Sequence, residues 1–411
     1  MESVLVAIGK LPCKRCNPLK SLITQWLFII CYNKCMNKYI NILIHNKRIE
    51  KGWSLESLSH GICSVSYLSK LEKGTIDSTE DITNKLLEKL GVYLETDLKD
   101  ILIKVNQFYH SFILFFIDES NYLTNDEIQK LLNSEYFLDG LLIDAWQHSN
   151  KNKSKALEVY LPFFSYEQKK KYYQILVFNN LYDYHELLNL FPDIDSYSII
   201  ANSLYQKGKY AKSIPYYIQY DEIASRECDI DNMIFAKMGL GSVYACLLDI
   251  DTCLEYYDKA LTLISHSNNI VLKDYIYYNI AATYVELGEY DQALSYLDKT
   301  EIRDVLYYQK LAICYEHTGN IEAAKDTLAK GYGLKTQYDI LLDSIQYRLN
   351  HPDYIHDSNY EQLILQAITK INATLPNGFL NLQETELLKY FEANRKYKDA
   401  YDLLKKRNQR F

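Results

Sequence analysis

The chain has 411 residues, 48% of them hydrophobic, with 14 glycines and 7 prolines, which excludes a disordered or collagen-like protein and favours more than one domain or a repeat array. The formal net charge of −8 argues against a nucleic-acid binder, but residues 1–74 carry 11 basic and 4 acidic side chains and residues 75–411 carry 34 and 49. A basic N-terminal segment followed by an acidic remainder indicates two surfaces with different partners.

Residues 1–35 place basic side chains before an apolar run, 26–32, that is too short to cross a bilayer. Two pairs of cysteines have spacings that a zinc site could use: Cys13/Cys16 and Cys31/Cys35. We interpret the segment as an N-terminal extension of little functional weight, with Met36 as the natural start. A signal peptide and a zinc site are the alternatives. The other five cysteines stand singly and favour reduced thiols in a cytoplasmic protein.

Four short helices are predicted between residues 36 and 91, at 37–51, 55–60, 65–73 and 79–90. Ser54 and Ser64 are good N-caps for the second and third helices, because a serine hydroxyl can accept from an unpaired backbone N–H. A glycine follows each helix and can end it. Short helices joined by tight turns over about 55 residues are typical of a helix-turn-helix domain, which we place at 36–95.

In a helix-turn-helix, the second helix of the pair enters the major groove and its N-terminal side chains meet the base edges. The candidates for base contacts are Ser64, Ser66, Tyr67 and Lys70. The candidates for phosphate contacts are Arg48, Lys73, Lys47 and Lys51. Val65, Leu68 and Leu71 are assigned to the core, and Glu72 to an ion pair inside the domain with Arg48. A helix-turn-helix used for protein contacts alone is the alternative.

The run Gly-Ile-Cys-Ser-Val-Ser-Tyr-Leu-Ser-Lys-Leu-Glu-Lys-Gly at 61–74 resembles the recognition helix of the Xre/Cro-repressor family. Its first ten residues are similar to those of the peptide-pheromone-responsive regulators called the RRNPP group. The chain differs from the wider family at Ser59, where alanine is usual, and in a turn one residue shorter. The resemblance covers about residues 36–411, and it implies a DNA-binding regulator, active as a dimer, with a repeat domain that binds a short signalling peptide.

A repeated pattern of two helices around a glycine runs from about residue 125 to the end, behind a connector at 96–124 with a dense apolar face. Such pairs follow the packing rules of tetratricopeptide repeats. They predict an all-α fold in which the helix-turn-helix domain precedes a right-handed solenoid of degenerate repeats at 125–411. The small residue of each second helix aligns at Ala156, Leu187, Ser213, Cys253, Ala293, Ala324 and Ala400. The last interval is long enough to hide one more helix pair in 337–370. Many of the 39 tyrosines fall at the aromatic positions of the repeat, although codon bias would also raise their number.

Stacked helix pairs form a concave surface lined by the first helix of each pair. Amides on this surface can bond a peptide backbone in both directions, and aromatic rings can form pockets for its side chains. The predicted peptide-binding residues are Asn202, Tyr205, Gln206, Met238, Ser242, Tyr275, Tyr278, Asn279, Glu286, Gln309 and Lys310. The resemblance implies that Asn202 and Asn279 clamp the peptide. A solvated amide is the alternative for Asn279, and a packing role is the alternative for the tyrosines.

Motifs for an enzyme are missing: the sequence has no phosphate-binding glycine loop, no His-Glu-x-x-His and no nucleophile elbow. We predict no cofactor, no metal and no membrane contact. The expected partners are double-stranded DNA, a short peptide and a second copy of the chain. Two other hypotheses stay open, a repeat protein that sequesters or acts on a phosphorelay response regulator, and a repressor or scaffold without a peptide.

Overall fold

A computed structural model describes residues 36–110, 122–148, 150–267, 271–375 and 377–408. The described residues form helices joined by short turns, with no β-strand among them, so the predicted all-α class is confirmed. The chain divides into two compact units, residues 1–191 and 192–411. This division falls inside the segment predicted as one repeat domain, and the predicted domain boundaries stay a prediction. The interpretation of residues 1–35 concerns residues outside the described part.

The helix-turn-helix domain, called the head below, belongs to the first unit. Its helices are α1 Met36–Glu50, α2 Leu55–Ser59, α3 Val65–Glu72 and α4 Glu80–Leu90, all within one residue or so of the predicted bounds. The Ser64 hydroxyl accepts from the Tyr67 N–H at 3.1 Å, as expected for an N-cap. Gly91 ends α4 with a φ of +67°, a left-handed conformation that glycine adopts without strain. The head core consists of Ile44, Leu58, Leu68, Leu71, Leu86, Leu87 and Leu90.

The rest of the first unit is helical too. Its helices are α5 Lys99–His110, α6 Asn125–Leu132, α7 Phe137–Gln147, α8 Lys151–Ala156, α9 Tyr166–Phe178 and α10 Tyr184–Leu190, with a 3₁₀ turn at Leu157–Tyr160. The described part of the predicted connector contains α5, whose apolar face is buried, and residues 111–121 of the connector lie outside the described residues. The Tyr109 hydroxyl donates to Asp139 of α7 at 2.6 Å. The head contacts the remainder through Asn46, which donates to the Tyr160 hydroxyl at 2.9 Å.

The described residues of the second unit form six helix pairs. They are α11 Ile194–Gln206 with α12 Tyr210–Glu227, α13 Ile230–Cys246 with α14 Ile250–Ile264, α15 Val271–Leu287 with α16 Tyr290–Leu297, α17 Val305–His317 with α18 Ile321–Gly333, α19 Ile340–Asn350 with α20 Ser358–Thr374, and α21 Leu380–Ala393 with α22 Tyr397–Asn408. The pair α19/α20 is the one predicted to lie in 337–370. Ser213, Cys253, Ala293 and Ala324 are completely buried, as their alignment requires, but Ala156 is exposed and that assignment is wrong.

Glycines let the helices of the second unit approach each other closely. A Cβ atom on Gly239 of α13 would lie 2.2 Å from the ring of Tyr217 on α12, and one on Gly241 would lie 2.5 Å from the ring of Tyr257 on α14. Both tyrosines are 2% exposed. The tyrosine rings therefore fill the space that the missing side chains leave, which supports a packing role for these two tyrosines.

Candidate functional site

The outward face of α3 carries the predicted base-contacting residues. Ser64, Ser66, Lys70 and Lys73 are exposed, and Tyr67 is half-buried. Leu68 and Leu71 point into the head core, but Val65 is 40% exposed, so its assignment to the core is wrong. Val65 lies in the first turn of α3, beside Ser66, where the head core no longer covers the helix. The outward face thus offers hydroxyl and ammonium groups around one apolar side chain.

Arg48 is not available to phosphate, so its predicted role is wrong. The side chain is 7% exposed, and its Nε and Nη2 donate to the two oxygens of Glu72 at 2.6 Å each. Its Nη1 donates to the Trp53 carbonyl at 2.8 Å. These bonds tie α1 to α3, which confirms the predicted ion pair with Glu72. The guanidinium therefore stabilises the domain and does not face solvent.

His45 also reaches Glu72, with 2.7 Å between its Nδ1 and a carboxylate oxygen. Burial raises the pKa of Glu72, but hydrogen bonds and charge from Arg48 and His45 lower it by more, so this pKa lies below its usual range. Glu72 therefore stays ionised at neutral pH. Its negative charge is turned inward, which leaves the outward face of α3 basic.

The turn between α2 and α3 is held from outside the pair. Lys89 of α4 donates to the carbonyls of Leu58 at 3.2 Å and His60 at 2.8 Å. Ser59 stands where the related family usually has alanine, and it is 2% exposed with its hydroxyl donating to the Glu56 carbonyl at 3.4 Å. A buried hydroxyl is tolerated here because a carbonyl in the preceding turn of the helix accepts a hydrogen bond from it. The short turn is therefore a fixed part of the domain.

In the second unit, several predicted peptide ligands are already bonded within the protein. Asn202 donates to the Ser198 carbonyl at 2.8 Å and accepts from the Tyr217 hydroxyl at 3.0 Å. The Ser242 hydroxyl lies 3.1 Å from that of Tyr257. A peptide would have to replace these bonds, so Asn202 and Ser242 are weaker candidates than the sequence indicated.

Three further candidates face the protein interior. Met238 is 6% exposed, Gln309 is 2% exposed and Lys310 is 5% exposed. The Gln309 amide donates to the Leu341 carbonyl at 3.3 Å, and the Lys310 ammonium donates to the Gln309 side-chain oxygen at 3.4 Å. Burial lowers the pKa of Lys310, and the charge of Glu286 opposes that shift. Because these three side chains are buried, they have little surface for direct contact with a peptide.

The strongest group of candidates lies along α15. Tyr275, Asn279 and Glu286 follow one another at intervals of four and seven residues, so they share one helix face. Tyr275 and Asn279 are partly exposed, and the Glu286 side chain is more than a third exposed. Tyr278 is half-buried and packs against the core that α15 shares with its neighbours. This face of α15 keeps polar groups within reach of a ligand.

Tyr205 and Gln206, both partly exposed, stand at the end of α11, where the chain returns from far along the sequence. A Cβ atom on Gly378 would lie 3.4 Å from the Tyr205 hydroxyl, and one on Gly208 would lie 3.2 Å from the Asn377 amide. The segment 377–389, which sequence analysis missed, is therefore part of the candidate site. Local sequence patterns carry no signal of this contact, since the partners are about 170 residues apart.

A cavity of about 220 Å³ lies beside this segment, between α15, α17, α19 and α21. Glu286 lines it together with His317, Gln383, Glu386 and Lys389. The His317 ring stacks on the Tyr290 ring with centroids 4.3 Å apart. The remaining walls combine apolar side chains with the Ser344 and Thr385 hydroxyls and the Arg348 guanidinium. Its size suits a side chain of a peptide rather than a whole peptide.

The described residues contain neither a helix that could span a membrane nor a group of side chains that could hold a metal ion. No helix in 36–110, 122–148, 150–267, 271–375 or 377–408 is both long and apolar enough to cross a bilayer. In the same parts of the chain, no group of three or more His, Cys, Asp or Glu side chains could hold a metal ion. The cysteine pairs considered for zinc lie outside the described residues.

Comparisons with known proteins agree with the geometry. Residues 44–96 match the helix-turn-helix family and residues 275–299 match the tetratricopeptide repeat. The transcriptional activator NprA of Geobacillus stearothermophilus is 21% identical over 399 residues, which cover 84% of this chain and 91% of that protein.

Two solved structures are similar to 70% of this chain, at 17% identity, and are covered over 99% of their own length. They are PlcR of Bacillus thuringiensis in complex with the peptide PapR7 and DNA, with a TM-score of 0.31, and the apo form of the competence regulator ComR of Streptococcus vestibularis, with a TM-score of 0.28. The protein therefore combines a helix-turn-helix domain with tetratricopeptide repeats, and the similarity to the transcriptional activator NprA along most of both chains supports the resemblance to the RRNPP group of transcription regulators.

Proposed function

We propose that this regulator is cytoplasmic, binds a two-fold-symmetric DNA site as a dimer, and senses a short signalling peptide with its repeats. The observation that carries the DNA-binding half is the outward face of α3. Ser66, Lys70 and Lys73 are exposed there, while the acidic group of the same helix, Glu72, is turned inward and neutralised. A face of this kind can donate to base edges and to phosphates.

The peptide-sensing half is supported by the face of α15 and by the cavity at its end. Asn279 can donate to and accept from a peptide backbone, and the Glu286 carboxylate is open to solvent in the cavity. PlcR has been solved with a bound peptide and DNA, which makes the same pair of ligands a natural proposal here. Peptide binding would change the balance between forms of the dimer that fit the two half-sites differently.

The Lys70→Ala variant is expected to bind the promoter of its own operon about 1–3 kcal/mol more weakly than the wild type, or roughly 5- to 150-fold. The reason is that the ammonium group stands exposed on α3 and can reach a base edge or a phosphate. Ser66→Ala is expected to weaken binding less. Gel shift at fixed salt measures both effects.

Lys85→Ala is the matched control, because it removes the same charge from the head at an exposed site on α4, where Lys85 pairs with Asp81 at 2.7 Å. Retention equal to wild type is expected for this control. If Lys70→Ala and Ser66→Ala were also retained like the wild type, groove binding by α3 would be excluded.

A cognate peptide is expected to stabilise the protein against unfolding by roughly 2.7 kcal/mol when its concentration is about 100 times Kd. Synthetic C-terminal fragments of a short reading frame next to the gene are the peptides to screen, by thermal shift. Asn279→Ala should unfold at the wild-type temperature without peptide but lose most of the shift, because its side-chain amide is partly exposed and has no bond within the described protein. A full shift in this variant would rule out the amide clamp.

A further inference from the structure

The carboxylate of Glu286 is an accessible charge without an ion-pair partner. It lines the cavity, it is more than a third exposed, and it makes no ion pair with any described residue. Burial raises the pKa of Glu286, whereas the Lys310 ammonium, the Asn381 amide and the Arg407 guanidinium lower it from the protein side. Lys310 is 5% exposed, so a ligand in the cavity meets Glu286 rather than this lysine.

The other charges around the cavity neutralise one another. Arg348 donates to Glu316 at 2.6 Å and to Glu386 at 3.3 Å, and the Lys389 ammonium donates to Glu386 at 2.8 Å. These groups hold α17, α19 and α21 together and have little charge left for a ligand. Of the two carboxylates that line the cavity, Glu286 is therefore the one without an ion-pair partner among the described residues.

Gln383 adds a second acceptor. This side chain is 1% exposed and lines the cavity, and its Oε1 has no hydrogen-bond partner in the described part of the chain. A buried polar atom without a partner is uncommon in a folded protein, and it leaves an acceptor that a water, an ion or a ligand can satisfy. A donor placed between Gln383 and Glu286 would satisfy both.

We infer that this cavity binds a positively charged group of the signalling peptide, with Glu286 as the specificity-determining residue and Gln383 as the second acceptor. The inference rests on the proposed peptide sensing and specifies its ligand. Glu286 lies seven residues after Asn279, about 10 Å along α15 at 1.5 Å per residue. An extended peptide covers that distance in about three residues. The charged group therefore belongs about three positions from the peptide unit that Asn279 holds.

The charge of Lys310 is opposite to that of Glu286, so removing it should affect a bound cation in the opposite direction. Its charge lies close enough to act on Glu286, so it disfavours a cation bound there. Lys310→Met removes that charge and keeps a side chain of similar length, and it breaks no ion pair. This variant is expected to hold a cationic peptide as tightly as the wild type or more tightly. If a peptide carboxylate bound at Lys310 instead, Lys310→Met would weaken peptide binding and Glu286→Gln would not.

The experiment uses the full chain and three pools of randomised synthetic heptapeptides: one with Lys and Arg allowed, one without them, and one that lacks both and is N-acetylated. Retained peptides are identified by mass spectrometry. The wild type should retain peptides with Lys or Arg, and Glu286→Gln should retain them about tenfold less, a loss of about 1.4 kcal/mol. Retention from the second pool but not the acetylated one would identify the α-amino group as the cation.

The outcomes separate this inference from the proposed function. If the wild type binds no peptide from any pool, peptide sensing itself fails and the inference with it. If it binds peptides with and without a cation equally, or if Glu286→Gln binds as well as wild type, sensing stands and the inference is overturned. Weaker binding by Lys310→Met also overturns it. Equal Tm values of the free variants and the wild type confirm that each change acts on binding and not on folding.

Discussion

Arg48→Met is expected to destabilise the head by about 3–5 kcal/mol, because it leaves the Glu72 carboxylate buried without its partner. The wild-type guanidinium makes two bonds of 2.6 Å to that carboxylate and one of 2.8 Å to the Trp53 carbonyl. All three are lost at once. His45 alone would then face Glu72, and its ring is the more exposed partner of the two. Hydrogen exchange of the α3 amides in the full chain measures the local free energy of opening.

The matched control is Lys47→Ala, one residue earlier on α1. Lys47 donates to Glu50 at 2.9 Å, but Glu50 is well exposed, so the loss should stay under about 1 kcal/mol. The double variant Arg48→Met with Glu72→Leu should regain most of the stability, since no buried charge remains. Equal exchange in Arg48→Met and Lys47→Ala would show that the Arg48–Glu72 pair does not hold α1 against α3.

The helices of the head could be predicted because their end signals are local. Ser54, Ser64 and Gly91 act within one turn of the chain, so the pattern alone carries the information. The role of Arg48 could not be settled in the same way. Two assignments fitted its sequence position, phosphate contact and pairing with Glu72, and packing of α1 against α3 decides between them.

The repeats were predictable to the level of helix pairs, but the candidate site was not. Periodicity places Asn202 on an inward face, yet the Tyr217 hydroxyl, fifteen residues later, takes its oxygen. The cavity joins Glu286 to Gln383, about a hundred residues apart, and no local pattern links them. Polar residue type indicates which side chains can bind a peptide, whereas competition from partners inside the fold decides which of them are available.

The tyrosine content now has a structural explanation in part. Tyr217 and Tyr257 lie over Gly239 and Gly241, so at these points a ring on one helix needs a glycine on the next. Codon bias alone would raise the number of tyrosines without placing them opposite glycines. A test of the packing explanation must therefore change the glycine and leave the tyrosine in place.

Gly239→Ala is expected to lower the stability of the second unit by about 1–3 kcal/mol, because the added methyl group would overlap the Tyr217 ring. Three ring carbons would lie 2.2–2.7 Å from the new Cβ, well inside contact distance. If the ring moves, its hydrogen bond to Asn202 is lost as well, at a cost of about 1 kcal/mol. Alanine is the better helix former by about 1 kcal/mol, so any net loss reflects the overlap and the hydrogen bond that it breaks, not helix propensity. Thermal unfolding measures the change.

Gly333→Ala is the control, since the same substitution at the end of α18 meets no atom within 4 Å. It is expected to be neutral or slightly stabilising. A second variant locates the cause: adding Tyr217→Leu to Gly239→Ala removes the overlapping ring, so the double variant should be more stable than the two separate losses predict. If the losses simply add, the ring does not resist the methyl group, and the close approach of α12 and α13 depends on contacts other than the tyrosine over the glycine.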